Sequence, residues 1–137
     1  MLNDDFVQPE EARRLKKLGY GSYGSLVYFQ EEGYNEKHGY RMMVKNDMKP
    51  TDFVYTNDEE GKVCMPGLAV ADRWIREKYL IFMEINMDEN EKLYCDTIHD
   101  CEKHKVIKIP NAPKFEIYEQ AWTFGFDFLL DYIEKNR

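Results

Sequence analysis

Apolar residues recur along this chain at two spacings, and the changes between them mark its elements. Residues 9 to 18 read as a first helix. Pro9 suits the first helical position, where its missing N–H costs nothing. Glu10 and Glu11 suit the positive end of the helix dipole, and Arg13, Arg14, Lys16 and Lys17 the negative end. Ala12, Leu15 and Leu18 make a narrow apolar stripe, and Gly19 reads as the C-terminal cap. Two runs rich in β-formers follow, Ser25 to Gln30 and Tyr40 to Val44, joined by a loop from Glu31 to Gly39. Residues 46 to 64 show no clear period; Phe53, Val54 and Tyr55 read as a short strand inside a long connection.

The second half is patterned more strongly. Pro66 opens a helix that runs to Tyr79, with Leu68, Ala71, Ile75 and Tyr79 within about 80° on a helical wheel. Ile81, Met83 and Ile85 alternate strictly. The turn Asp88 to Glu91 and the run Lys92 to Ile98 complete an antiparallel hairpin. Val106 to Ile109 adds a third strand, which Pro110 and Pro113 end. A last helix spans residues 117 to 134, with Tyr118, Ala121, Trp122, Gly125, Leu129, Tyr132 and Ile133 on its core face. Gly125, at the centre of that face, costs about 1 kcal/mol against alanine in propensity and permits close packing. The expected fold is therefore α+β: an antiparallel sheet with three helices, in the order α-β-β-α-β-β-(β)-α, forming a single domain over residues 1–137 with the helices on one side.

Two helices carry more apolar surface than one core face needs. On the helix opened by Pro66, Val70 and Trp74 form a second stripe. On the last helix, Phe124 and Leu130 flank the core face, and Phe126 and Phe128 sit at its margins. Large exposed apolar patches mark interaction sites. These six residues are the expected interaction surface, for another protein or for a second copy in a homodimer.

Composition narrows the partners. The 137 residues carry 19 basic and 26 acidic side chains, a net charge of −7, which opposes binding to a phosphate backbone, so no nucleic-acid partner is expected. The acidic runs Asn57-Asp58-Glu59-Glu60 and Asp88-Glu89-Asn90-Glu91 read as solvated loops. Met1-Leu2-Asn3-Asp4-Asp5 has no apolar core of a signal peptide. No stretch approaches the ~20 apolar residues that span a bilayer, so no membrane partner is expected. Cys64, Cys95 and Cys101, an odd number, read as reduced thiols of a cytoplasmic protein.

Chemical motifs are present but incomplete. Gly19-Tyr20-Gly21-Ser22-Tyr23-Gly24 is a literal G-x-G-x-x-G, yet a dinucleotide site needs a strand before it and a helix after it; the pattern here predicts the reverse. With Met43-Val44-Lys45 it also resembles the glycine-rich loop and strand lysine of protein kinases. No H-R-D or D-F-G follows, and the chain is too short for two lobes. Cys95, His99, Cys101 and His104 are all zinc-binding residue types, but their spacing, C-x₃-H-x-C-x₂-H, is not the two separated pairs of structural zinc sites. His38 sits in a loop with no Ser or Cys tied to it. No catalytic residue, metal or cofactor is assigned.

Three segments carry a resemblance. They are Glu11-Ala12-Arg13-Arg14-Leu15-Lys16-Lys17-Leu18-Gly19-Tyr20, the helix Pro66-Gly67-Leu68-Ala69-Val70-Ala71-Asp72-Arg73-Trp74-Ile75-Arg76-Glu77-Lys78-Tyr79, and Tyr118-Glu119-Gln120-Ala121. Together they resemble a family of short uncharacterised proteins of gut Bacteroidetes and their phages or mobile elements. The sequence departs from that pattern at Leu80, where a helix-ending glycine is usual, and at Glu116-Ile117, where a better N-cap is expected. The resemblance implies the element order and no activity. The expected function is that of a small non-enzymatic protein acting through protein contacts, such as a phage or mobile-element accessory. The alternative is a small ligand- or metal-binding domain.

Overall fold

A computed structural model describes residues 6–21, 27–30, 42–44 and 62–137. The elements are α1 (Pro9–Lys17), β1 (Val27–Gln30), β2 (Met42–Val44), β3 (Lys62–Cys64), α2 (Leu68–Tyr79), β4 (Ile81–Met87), β5 (Leu93–Asp100), β6 (Lys105–Lys108) and α3 (Tyr118–Asn136). The class is α+β, with three helices and antiparallel strands among the described residues, as the pattern predicts. One strand is additional: β3 is three residues long, too short for any period to show in sequence. The strand expected at Phe53-Val54-Tyr55, the loop from Glu31 to Gly39 and His38 lie outside the described residues. The described strands form two three-stranded antiparallel sheets, ordered β2-β1-β3 and β4-β5-β6. The chain divides into two compact units, Met1–Ala71 and Asp72–Arg137.

In the first unit, α1 ends as its sequence demands. Gly19 takes φ 98°, a conformation open to glycine, and directs its N–H to the Lys16 carbonyl at 3.0 Å. The Tyr20 N–H then reaches the Leu15 carbonyl at 3.0 Å. These two bonds close a Schellman motif. α1 packs on β3, and Val7, Ala12, Leu15, Val63, Cys64 and Met65 are fully buried. The segment before α1 is held by the Val7 N–H, which donates to the Pro66 carbonyl at 2.9 Å.

In the second unit, α3 lies across β4 and β5. Gly125 makes this approach possible: a Cβ there would meet the Cys95 Sγ at 2.5 Å and the Met83 Sδ at 2.8 Å. Ile81, Cys95, Ile98, Ala121, Trp122, Phe126, Leu129, Leu130 and Ile133 are buried, each large apolar side chain contributing about 1.5–3 kcal/mol. Tyr118, expected on the core face, is instead 45% exposed at the first residue of α3.

β5 reaches its inward pattern through a bulge. Glu84 pairs with Thr97 and Asn86 with Tyr94, so Cys95 and Asp96 together oppose Ile85 alone. An extra residue shifts the alternation by one place. Cys95 and Ile98, three apart, are thereby both buried. The turn between β4 and β5 is built on Asp88, whose Oδ1 accepts from the Asn90 and Lys92 amides at 2.9 Å each. Lys114 Nζ donates to its other oxygen at 2.7 Å, and this hydrogen bond holds the Asp88 carboxyl below the usual carboxylate range.

Candidate functional site

Opposite the face covered by α3, the β4-β5-β6 sheet presents a small grid of side chains. The register sets Phe82, His99 and Val106 in one cross-strand row and Glu84, Thr97 and Lys108 in the next. Directly opposed residues on one face touch. Phe82 and His99 stack with ring centroids 4.6 Å apart. A His99 ring nitrogen, Nε2, lies 2.6 Å from Glu84 Oε1. Lys108 Nζ donates to Thr97 Oγ1 at 2.8 Å, and that hydroxyl donates to Asp96 Oδ1 at 2.8 Å. The grid is apolar and aromatic toward the β5–β6 turn and polar away from it. Val106, at its corner, is 59% exposed.

Beside the grid, the turn from Cys101 to His104 joins β5 to β6. His104 closes it in the left-handed region at φ 53°. An open depression of about 330 Å³ lies here, lined by His99, Asp100, Cys101, His104, Lys105 and Val106. Beneath the turn, Asp100 is fully buried. Its carboxylate accepts from the Tyr132 hydroxyl at 2.7 Å, the Arg137 guanidinium at 2.6 Å and the Lys103 amide at 3.1 Å. Burial alone would raise its pKa; these donors outweigh burial and lower it. The network ties the end of α3 to the turn beneath the depression.

The structure sets Cys95 apart from the other three zinc-type residues, which line the same open depression. Cys95 is buried against Gly125, and burial pushes its thiol up to about 11, far from the thiolate a metal needs. His99 is engaged by Phe82 and Glu84. Cys101 and His104 are exposed at the turn. Among the described residues, no three His, Cys, Asp or Glu side chains converge to hold a metal. Of the G-x-G-x-x-G string, Gly19 and Gly21 are described; a helix precedes it and β1 follows, the order opposite to a dinucleotide site.

The expected apolar surface is rearranged. Phe126 and Leu130 are fully buried and cannot meet a partner. The reason for Phe126 is plain: it stacks on Trp122 at 4.3 Å, and Trp122 is itself buried, donating to Asp72 Oδ2 at 2.9 Å. Phe124 is half-buried against Phe115, centroids 6.1 Å apart, and Phe128 is half-buried. Val70 is 47% exposed. Trp74 is half-buried, edge-to-face with Tyr79 and with the Lys78 ammonium 4.8 Å from its ring centroid.

Sequence reasoning passed over Phe82, Glu84, Thr97 and Lys108. Phe82 and Glu84 are the out-of-phase positions of the alternating run Ile81, Met83, Ile85, so a shared face was readable for those two. Their pairing with His99 and Thr97 on β5 depends on the bulge. No described helix is long and apolar enough to cross a membrane. Comparison with protein-family models, with curated proteins and with solved structures finds no match.

Proposed function

We propose that this is a non-enzymatic cytoplasmic protein that acts by contacting other protein, as an accessory of the kind its resemblance to the short Bacteroidetes and phage family implies. One observation carries the reading. The outer face of β4-β5-β6 sets an aromatic stack and a 59%-exposed valine in one row, bordered by Glu84 and Lys108. An apolar centre with a polar rim is how protein interfaces are built. His99, the one imidazole at the centre of this face, is stacked and hydrogen-bonded, which suits a shaped surface.

Panning a library of displayed protein segments against the immobilised chain tests this, together with light scattering over a wide concentration range. Enriched segments, or a dimer whose mass falls when Phe82 and Val106 are changed to serine, support it. A chain that stays monomeric and enriches no segment overturns it.

The second reading is a small-ligand-binding domain, favoured by the open depression at the β5–β6 turn. Metal analysis of the purified protein and thermal shifts with divalent metals and nucleotides decide it. A metal-free protein with no shift removes it.

A further inference from the structure

We infer that the outer edge of β6 is a docking strand for an extended acidic segment of another protein. The inference rests on the contact reading above and names the partner chemistry.

β6 is the last strand of its sheet and pairs with β5 alone among the described strands. The phase of the ladder decides which backbone groups face away. The Ile109 N–H donates to the Asp96 carbonyl at 2.8 Å. Backbone direction alternates along an antiparallel strand, so Ile107 and Lys105 also face β5. Val106 and Lys108 therefore turn their N–H and C=O groups outward. No described backbone bond takes up these four groups. Such an edge is a template for an added strand.

Side chains determine which strand it accepts. From Lys103 to Ile109 there are three lysines, one histidine and no carboxylate, within a chain of net charge −7. Lys105 and Lys108 are exposed, and neither forms an ion pair among the described residues. A second copy would bring the same positive strip alongside, and like charges across a ladder repel. An acidic strand is the complementary occupant. In antiparallel pairing, the incoming residues opposite Lys108, Val106 and Lys105 are carboxylate, apolar and carboxylate, in the order acid-x-apolar-acid. The apolar residue shares the outer face with Val106. The depression beside Lys105 and His104 receives the last acidic side chain.

A fluorescein-labelled octapeptide with the core Glu-Thr-Ile-Glu is the probe, read by fluorescence anisotropy, with a Lys-Thr-Ile-Lys peptide as its control. The expected result is saturable binding of the acidic peptide alone, weakening steeply with salt. Val106→Pro removes an outward N–H without breaking a bond to β5, and should abolish binding. The exposed pair Lys105→Glu and Lys108→Glu, which leaves every strand bond in place, should weaken binding about tenfold or more. The inference is overturned if the acidic peptide fails to bind, or binds both variants as it binds the parent. Displayed segments that are enriched yet lack acidic residues, or bind Val106→Pro unchanged, overturn it while leaving the contact reading intact.

Discussion

Gly125 on α3 stands over Cys95 on β5 at a separation that admits no side chain: a Cβ would lie 2.5 Å from the sulfur and 2.9 Å from the Cys95 Cβ. Gly125→Ala gains about 1 kcal/mol of helix propensity but forces apart a packed helix and sheet, where overpacking costs about 1–3 kcal/mol or more. With three atoms closer than 3.0 Å to the new Cβ the upper part of that range applies, so a net loss of about 1–2 kcal/mol is expected by urea denaturation. Adding Cys95→Ala should recover part of it, because the sulfur is the nearest obstacle. A single variant as stable as the parent would show that α3 does not rest on this point.

Stability should fall in acid through Asp100. Its folded pKa is lowered, because the Tyr132, Lys103 and Arg137 donors outweigh burial. The unfolded carboxyl titrates near 3.9. The stabilisation is therefore complete above that pH and is lost as pH falls through the lower folded value. Tyr132→Phe removes the hydroxyl donor and should cost about 1–2 kcal/mol at neutral pH, with a shallower loss on acidification. Urea midpoints measured at neutral pH and through the acid range check both.

Asp72 should behave in the opposite sense. Burial raises its pKa, although the Trp122 hydrogen bond and the Arg76 charge lower it in part. A raised carboxyl pKa means the fold disfavours the charged form. That penalty is absent at low pH and grows as pH rises through the folded value. Asp72→Asn keeps an oxygen for the Trp122 N–H and should be more stable than the parent at neutral pH, the difference vanishing in acid. Equal stability at neutral pH would show that the carboxylate is fully compensated.

Leu80 ends α2 in the left-handed region at φ 54° and is 52% exposed. An L-residue there costs about 1–2 kcal/mol, against about 0.5–1 kcal/mol of extra chain entropy for glycine. Leu80→Gly should therefore stabilise the protein by about 0.5–1 kcal/mol, visible as a raised midpoint of thermal unfolding.

Much of the fold was legible because its signals are local. Pro9 and Gly19 bracket α1, and Gly125 announces the close approach of α3. The alternation Ile81, Met83, Ile85 gives β4. The candidate site was not legible, because it is made across strands. His99 meets Phe82 and Glu84 only through a register that depends on one extra residue in β5. The burial of Phe126 was hidden for a similar reason. A helical wheel places it at the margin of α3, whereas its cover is Trp122 one turn earlier, anchored to Asp72 fifty residues away. Leu80 stands where the resembled family has a helix-ending glycine, and its backbone takes the glycine conformation.

The paired residues Cys95 and Asp96 opposite Ile85 also bear on how relatives of this chain should be aligned. A homologue that keeps the sheet but lacks the additional residue must carry its inside-outside code one place out of step on one side of this point. Aligned without a single-residue gap there, its core positions would be matched to surface ones along half the strand, and true kinship would score as noise.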